Sequence, residues 1–156
     1  MSLEEFKKMD ASQFPIGKLI SMISRAQEIY LNHQLKNLDI NSTQLMLLFE
    51  ISHQNNLNQE KIASRCNFNK GAVARSIRKL EEKELIIREI DEKNRRQNKI
   101  SLTPKGEEII KKGIDVLNIW EDEVFNDYLI DEITLKKVLK DIAVRTIEMN
   151  EENRNE

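Results

Sequence analysis

Apolar side chains recur at helical spacing along most of this chain. From Pro15 onward, Ile16, Leu19, Ile20, Ile23, Ala26, Gln27 and Tyr30 mark one helical face, with Ile29, Leu31, Leu35 and Leu38 beside it. Residues 15–38 therefore predict a long helix opened by a proline, whose preset φ suits a helix start. Its apolar stripe is wide enough to need two bodies to pack against. These are either a second subunit and the rest of the chain, or one broad intramolecular core. Residues 1–14 lack a clear period and read as a loose leader.

Asn41-Ser42-Thr43-Gln44 has the form of a capping box and opens a helix through Leu45, Leu47, Leu48, Phe49 and Ile51. Asn58 can cap a short helix holding Lys61, Ile62, Ala63 and Cys66. Asn67-Phe68 then makes a turn, and Asn69 caps a further helix. That helix sends Val73, Ile77 and Leu80 inward and leaves Lys70, Arg75 and Arg78 outward. Two short helices around a tight turn, the second basic outside, form a helix-turn-helix pattern.

Leu85-Ile86-Ile87-Arg88-Glu89-Ile90 is a strand signal, and Lys99-Ile100-Ser101-Leu102 alternates as a second strand. Residues 91–98 between them carry no apolar side chain and predict an exposed hairpin tip bearing Arg95 and Arg96. Thr103-Pro104 supplies a cap and a first-position proline for a helix through Ile110, Ile114, Leu117, Trp120 and Val124. Asp131 starts a last helix through Val138, Leu139, Ile142 and Ile147, with fraying expected beyond Met149. The fold class expected is mainly α with a small β-hairpin wing. Residues 1–40 would be a leader and dimerisation helix, 41–103 a winged helix-turn-helix lobe, and 104–156 C-terminal dimerisation helices.

Composition agrees with a helix-rich chain, being 33% charged and only 5% aromatic, with four glycines and two prolines. The net charge of −2 argues against a polyanionic partner until its distribution is considered. Residues 61–105 hold 13 lysines and arginines against 6 aspartates and glutamates, whereas the remainder is net acidic. A basic middle between acidic ends is the footprint of a nucleic-acid-binding centre, although solvated helix faces also collect charge.

No stretch of eighteen uncharged apolar residues occurs and the acidic start does not resemble a signal peptide, so a cytoplasmic protein without a membrane partner is expected. No Gly-rich phosphate loop, nucleophile elbow or metalloprotease motif is present, and an enzyme is rejected. Neither a cofactor nor a metal is expected, because His33 and His53 have no ligand-spaced neighbours. Cys66, the single cysteine, is either a redox sensor or, four residues after Ile62 on an inner face, a packed and inert thiol.

The order of these elements resembles the MarR family of regulators over nearly the whole chain. Ile62-Ala63-Ser64-Arg65 followed by Asn69-Lys70-Gly71-Ala72-Val73 is similar to the family's helix-turn-helix. Leu80-Glu81-Glu82-Lys83-Glu84-Leu85-Ile86 is similar to its exit into the wing. Asn94-Arg95-Arg96 and Ile100-Ser101-Leu102-Thr103-Pro104-Lys105-Gly106 are similar to the wing and the start of the next helix. Two positions depart from the pattern: Asn94 stands where the family commonly has Asp, and Asn67 where it often has Gly.

The resemblance implies a two-fold dimer on double-stranded DNA, with recognition helices in successive major grooves and wings in minor grooves. The residues agree with that implication. Lys70 and Arg75 project from a helix start kept small by Gly71 and Ala72, and Arg bonds guanine bidentately. Arg95 or Arg96 suits a narrow, electronegative minor groove. Arg78, Lys79 and Lys83 either touch phosphate or pair with carboxylates and solvent. The resemblance further implies a repressor released by a small aromatic or phenolic effector, with Tyr30 and His33 as lining candidates; His33 read by itself is equally a helix-interface histidine. The alternative function is a winged-helix protein-interaction module without specific DNA readout.

Overall fold

Most helix starts in this chain are set by a side chain that satisfies otherwise unpaired backbone N–H groups. A computed structural model describes residues 2–53, 57–66, 68–90, 98–126 and 131–152. Among them the order is α1 (Leu3–Lys8), α2 (Ile16–Gln34), α3 (Ser42–His53), α4 (Gln59–Arg65), α5 (Lys70–Glu82), β1 (Ile86–Ile90), β2 (Asn98–Leu102), α6 (Pro104–Phe125) and α7 (Glu132–Glu152). Short 3-10 turns occupy Ala11–Gln13 and Leu35–Leu38. This is the mainly α chain with a small hairpin that the sequence predicts.

The predicted caps form. Asn41 and Gln44 exchange reciprocal side-chain to backbone bonds of 2.8 and 3.1 Å, which also satisfies the buried Gln44 amide oxygen. Asn58 accepts from the Lys61 N–H, and Asn69 from the N–H groups of Gly71 and Ala72. The Thr103 hydroxyl accepts from Gly106 N–H at 3.0 Å, with Pro104 at the first helical position.

Three expectations about the helices are corrected. Residues 1–14 are not a structureless leader: Ser2 and Glu5 form a capping box that starts α1, and Phe6 meets the buried Phe14 ring edge-to-face at 5.1 Å. A six-residue helix is too short for a period to declare it, so its caps carry the signal. The helix predicted over residues 15–38 stops at Gln34 and tightens into a 3-10 turn closed by Asp39, whose φ is 54°. Leu35 and Leu38 keep the apolar pattern going across that change of geometry. At the other end, α7 continues past Met149 to Glu152.

Residues Met1–Leu117 form one compact unit and Asn118–Glu156 a second. The first is built on a core in which Leu35, Leu47, Leu48, Ile62, Ile77 and Leu80 are fully buried. Burying each such aliphatic side chain contributes about 1.5–3 kcal/mol. β1 and β2 pair antiparallel, with Ile86 opposite Leu102 and Arg88 opposite Ile100, and Leu57 bridges to Ile100. Ile86 and Ile100 face the core, so the hairpin is rooted in it. Gly106 is required where α6 meets this root, because a Cβ there would collide with the Leu85 carbonyl oxygen.

The second unit contains the end of α6 and α7. Asp131 caps α7 by accepting from Thr134 N–H at 2.9 Å, and this bond holds its carboxyl below the usual range. Lys136 bonds Glu121 at 2.8 Å and Glu132 at 2.6 Å, and both carboxylates push its ammonium upward in pKa.

Both units leave apolar helix faces uncovered. In α2, Ile16, Ile20, Ile23 and Ile29 are exposed and only Leu31 is buried; α7 buries no residue at all.

Candidate nucleic-acid interface

The turn between α4 and α5 is held from inside. Ile62 and Ala63 of α4 are buried with Val73, Ile77 and Leu80 of α5, and Phe68 N–H donates to the Ala63 carbonyl at 3.1 Å. The inward spacing of four and three predicted for α5 is thus realised, and every residue between is turned outward or to the side.

The outward face begins at Asn69. With its carboxamide engaged as the cap, the first turn presents Lys70 and Gly71 to solvent and Ala72 at the margin. A Cβ on Gly71 would sit 3.2 Å from the Asn69 cap oxygen and 3.6 Å from the Arg75 guanidinium. Glycine thus gives the cap and Arg75 room side by side. Arg75 is exposed and makes no ion pair among the described residues. Lys70 lies 3.8 Å from Glu60 of α4, and Arg78 donates to Glu82 at 3.0 Å; both pairs are largely exposed. Such pairs are worth well under about 1 kcal/mol and exchange readily for another anion.

The structure thus brings Lys70, Gly71, Ala72, Arg75 and Arg78 onto one helix. Arg95 and Arg96, with Asn94 and the turn residue Asn67, lie outside the described residues. Lys83 is neither a free cation nor on the outward face: it caps the end of α5 and pairs with Asp39. Glu60 was not foreseen beside Lys70, since ten residues and a turn separate them. The Arg78–Glu82 pair was legible as an i, i+4 spacing.

Tyr30 is half-buried against the core, and His33 is exposed in the last turn of α2. A cavity of about 320 Å³ opens between Ile51, Ser52, Ser101, Leu102, Glu107, Ile110 and Lys111, and another of about 750 Å³ in the second unit is lined by residues including Asn118, Phe125, Leu135 and Lys136. Neither includes Tyr30 or His33. Cys66 is half-buried against the core; burial, then the Glu50 carboxylate, push its thiol up, and Arg65 opposes them. That environment favours the packed thiol over the redox sensor. Among the described residues no three His, Cys, Asp or Glu side chains converge on a metal-sized site, and no helix is long and apolar enough to cross a membrane.

Comparison with known proteins decides the family. Residues 40–97 match the sequence profile of the MarR family. A crystal structure of MarR superimposes with a TM-score of 0.83 at 33% identity, covering 92% of this chain and 98% of that one. The chain belongs to the MarR family. The HTH-type transcriptional regulator SarZ of Staphylococcus aureus is 29% identical over 113 residues, 72% of this chain and 73% of SarZ. The crystal structure of the S. aureus MepR-DNA complex, 21% identical with a TM-score of 0.74 and covering 89% of this chain and 99% of that one, shares the fold. This MarR-family chain is accordingly a winged helix-turn-helix regulator of transcription.

Proposed function

We propose that this MarR-family regulator acts in the cytoplasm as a homodimeric repressor that binds double-stranded DNA sequence-specifically. Residues 41–103 serve as the DNA-binding lobe, and the helical segments on either side serve as the dimer interface. In this reading α5 enters the major groove with Lys70, Gly71, Ala72, Arg75 and Arg78 at the DNA. Arg95 and Arg96 reach the minor groove. The observation that carries it is Arg75, an exposed guanidinium without an ion pair among the described residues, standing one turn from a helix start that glycine keeps free of bulk. A free guanidinium in that position is ready to bond guanine bidentately. MepR, of the same fold, was solved on DNA.

Dimerisation is supported by the exposed isoleucines of α2 and by α7, which leaves its apolar side chains exposed and buries none. Release by a small aromatic or phenolic effector, with Tyr30 and His33 as lining candidates, rests on family likeness.

The test is a salt titration on a duplex enriched from a random pool and on its scrambled counterpart. Arg75→Ala is expected to cost about 1–3 kcal/mol on the enriched duplex and to relax preference at one base position per half-site. Arg95→Ala with Arg96→Ala is expected to weaken binding to both duplexes and flatten the salt dependence. Equal losses on both duplexes for Arg75→Ala would remove α5 from the DNA-reading role.

A further inference from the structure

The exit of α5 is built as a junction, and a lysine closes one side of it. Lys83 follows the last residue of α5 as its C-cap. Its ammonium group donates to the main-chain carbonyl of Asp39, the fixed acceptor, and lies 3.2 Å from the Asp39 carboxylate, which is itself largely exposed. The Lys83 side chain is only 28% exposed, so its stem is packed while its charge meets oxygens 44 residues away in sequence.

Asp39 is presented by its own backbone. Its left-handed conformation, φ 54° and ψ 35°, closes the 3-10 turn after α2, and its N–H is already bonded to the Leu35 and Lys36 carbonyls. Left-handed backbone is costly for most L-residues and is tolerated best by Gly, Asn and Asp.

The opposite side of the junction is fastened to α6. The Lys83 carbonyl accepts from Lys105 Nζ at 2.9 Å, the Glu84 carbonyl from the Thr103 hydroxyl at 2.7 Å, and the Leu85 carbonyl from Thr103 N–H at 3.1 Å. Gly106 lies directly against that last carbonyl. Residues 83–85 therefore hold the recognition helix between the turn that ends α2 and the start of α6.

We propose that Lys83 is a positioning residue for DNA recognition: its bond to Asp39 sets the angle of α5 against the helix that carries the dimer face, and with it the separation of the two recognition helices. This rests on the DNA-binding dimer proposed above. The leverage is adequate. At 1.5 Å per residue α5 is about 20 Å long, so a pivot of about 10° at its exit shifts its first turn by about 3 Å, close to one base-pair rise of about 3.4 Å. A phosphate contact would instead need the ammonium free of the Asp39 oxygens.

Duplexes with the two enriched half-sites at the selected spacing, and one base pair shorter or longer, provide the test. Lys83→Met keeps the stem and removes the donors. It is expected to reduce wild-type discrimination between spacings by about three- to tenfold, in the range of single-contact coupling effects, with the salt slope unchanged. Lys83→Arg keeps the charge but not the donor geometry and is expected to shift discrimination in the same direction, and it serves if Lys83→Met fails to fold. Uniform weakening on all spacings by Lys83→Met with a shallower salt slope, or unchanged discrimination in both variants, would overturn the proposal. If the wild type binds no duplex, the DNA-binding reading itself fails. Hydrogen exchange then still tests the fastening: faster exchange of the last α5 amides in Lys83→Met supports it, and unchanged exchange overturns it.

Discussion

α5 and α7 are both amphipathic, yet they stand in opposite relations to the rest of the chain. α5 buries Val73, Ile77 and Leu80 almost completely and turns its cations outward. α7, half as long again, buries nothing and leaves Ile133, Val138, Leu139, Ile142, Val144 and Ile147 exposed. An apolar face covered within the chain stabilises the monomer whatever its concentration. A face left uncovered can contribute only through another body, and its stabilisation then depends on concentration. In the proposed function, reading and assembly thus fall to different helices.

The contrast is broken most severely from the α5 side. Ile77→Ala removes a fully buried side chain and is expected to lower unfolding free energy by about 2–5 kcal/mol, as measured by denaturant titration and independently of protein concentration. On α7, Leu139→Glu is expected to leave the unfolding of the core little changed at low concentration while abolishing dimers, because a charge would be buried at the proposed interface. Sedimentation at micromolar concentration reads this directly: wild type at about twice 18.3 kDa, the variant at 18.3 kDa. A wild type that stays monomeric would leave the α7 face unexplained.

Smaller effects sharpen the comparison at the edges of α5. Glu84 has φ 59°, a left-handed backbone in a residue with a Cβ. Relief of about 1–2 kcal/mol of strain by Glu84→Gly is partly offset by the greater entropy of glycine in the unfolded chain. A net gain of a few tenths to about 1 kcal/mol in thermal or denaturant unfolding is expected. Arg78→Ala should change stability by less than about 0.5 kcal/mol, since its pair with Glu82 is exposed. A larger loss would mean that the outer face of α5 also holds the fold together.

Much of this architecture was legible because its signals are local. Asn58, Asn69 and Thr103 mark helix starts within three residues of the groups they satisfy, and the four-and-three spacing of Val73, Ile77 and Leu80 points to one face. Arg75 was legible as an outward cation for the same reason. Glu60 beside Lys70 and Asp39 beneath Lys83 were not, since these neighbours are created by folding over 10 and 44 residues. The α1 helix was missed because two caps, not a period, define it.

By itself the sequence determined the order of helices and strands from α2 onward, the inward face of α5 and the basic character of its outer face, because caps, periodicity and charge act over a few residues. Only the tertiary structure decided that α2 stops at Gln34, that Lys83 pairs with Asp39 instead of projecting outward, and that α2 and α7 each keep exposed apolar side chains. Those outcomes depend on which distant surfaces meet, and a pattern of hydrophobic positions says that a face must be buried without saying against what.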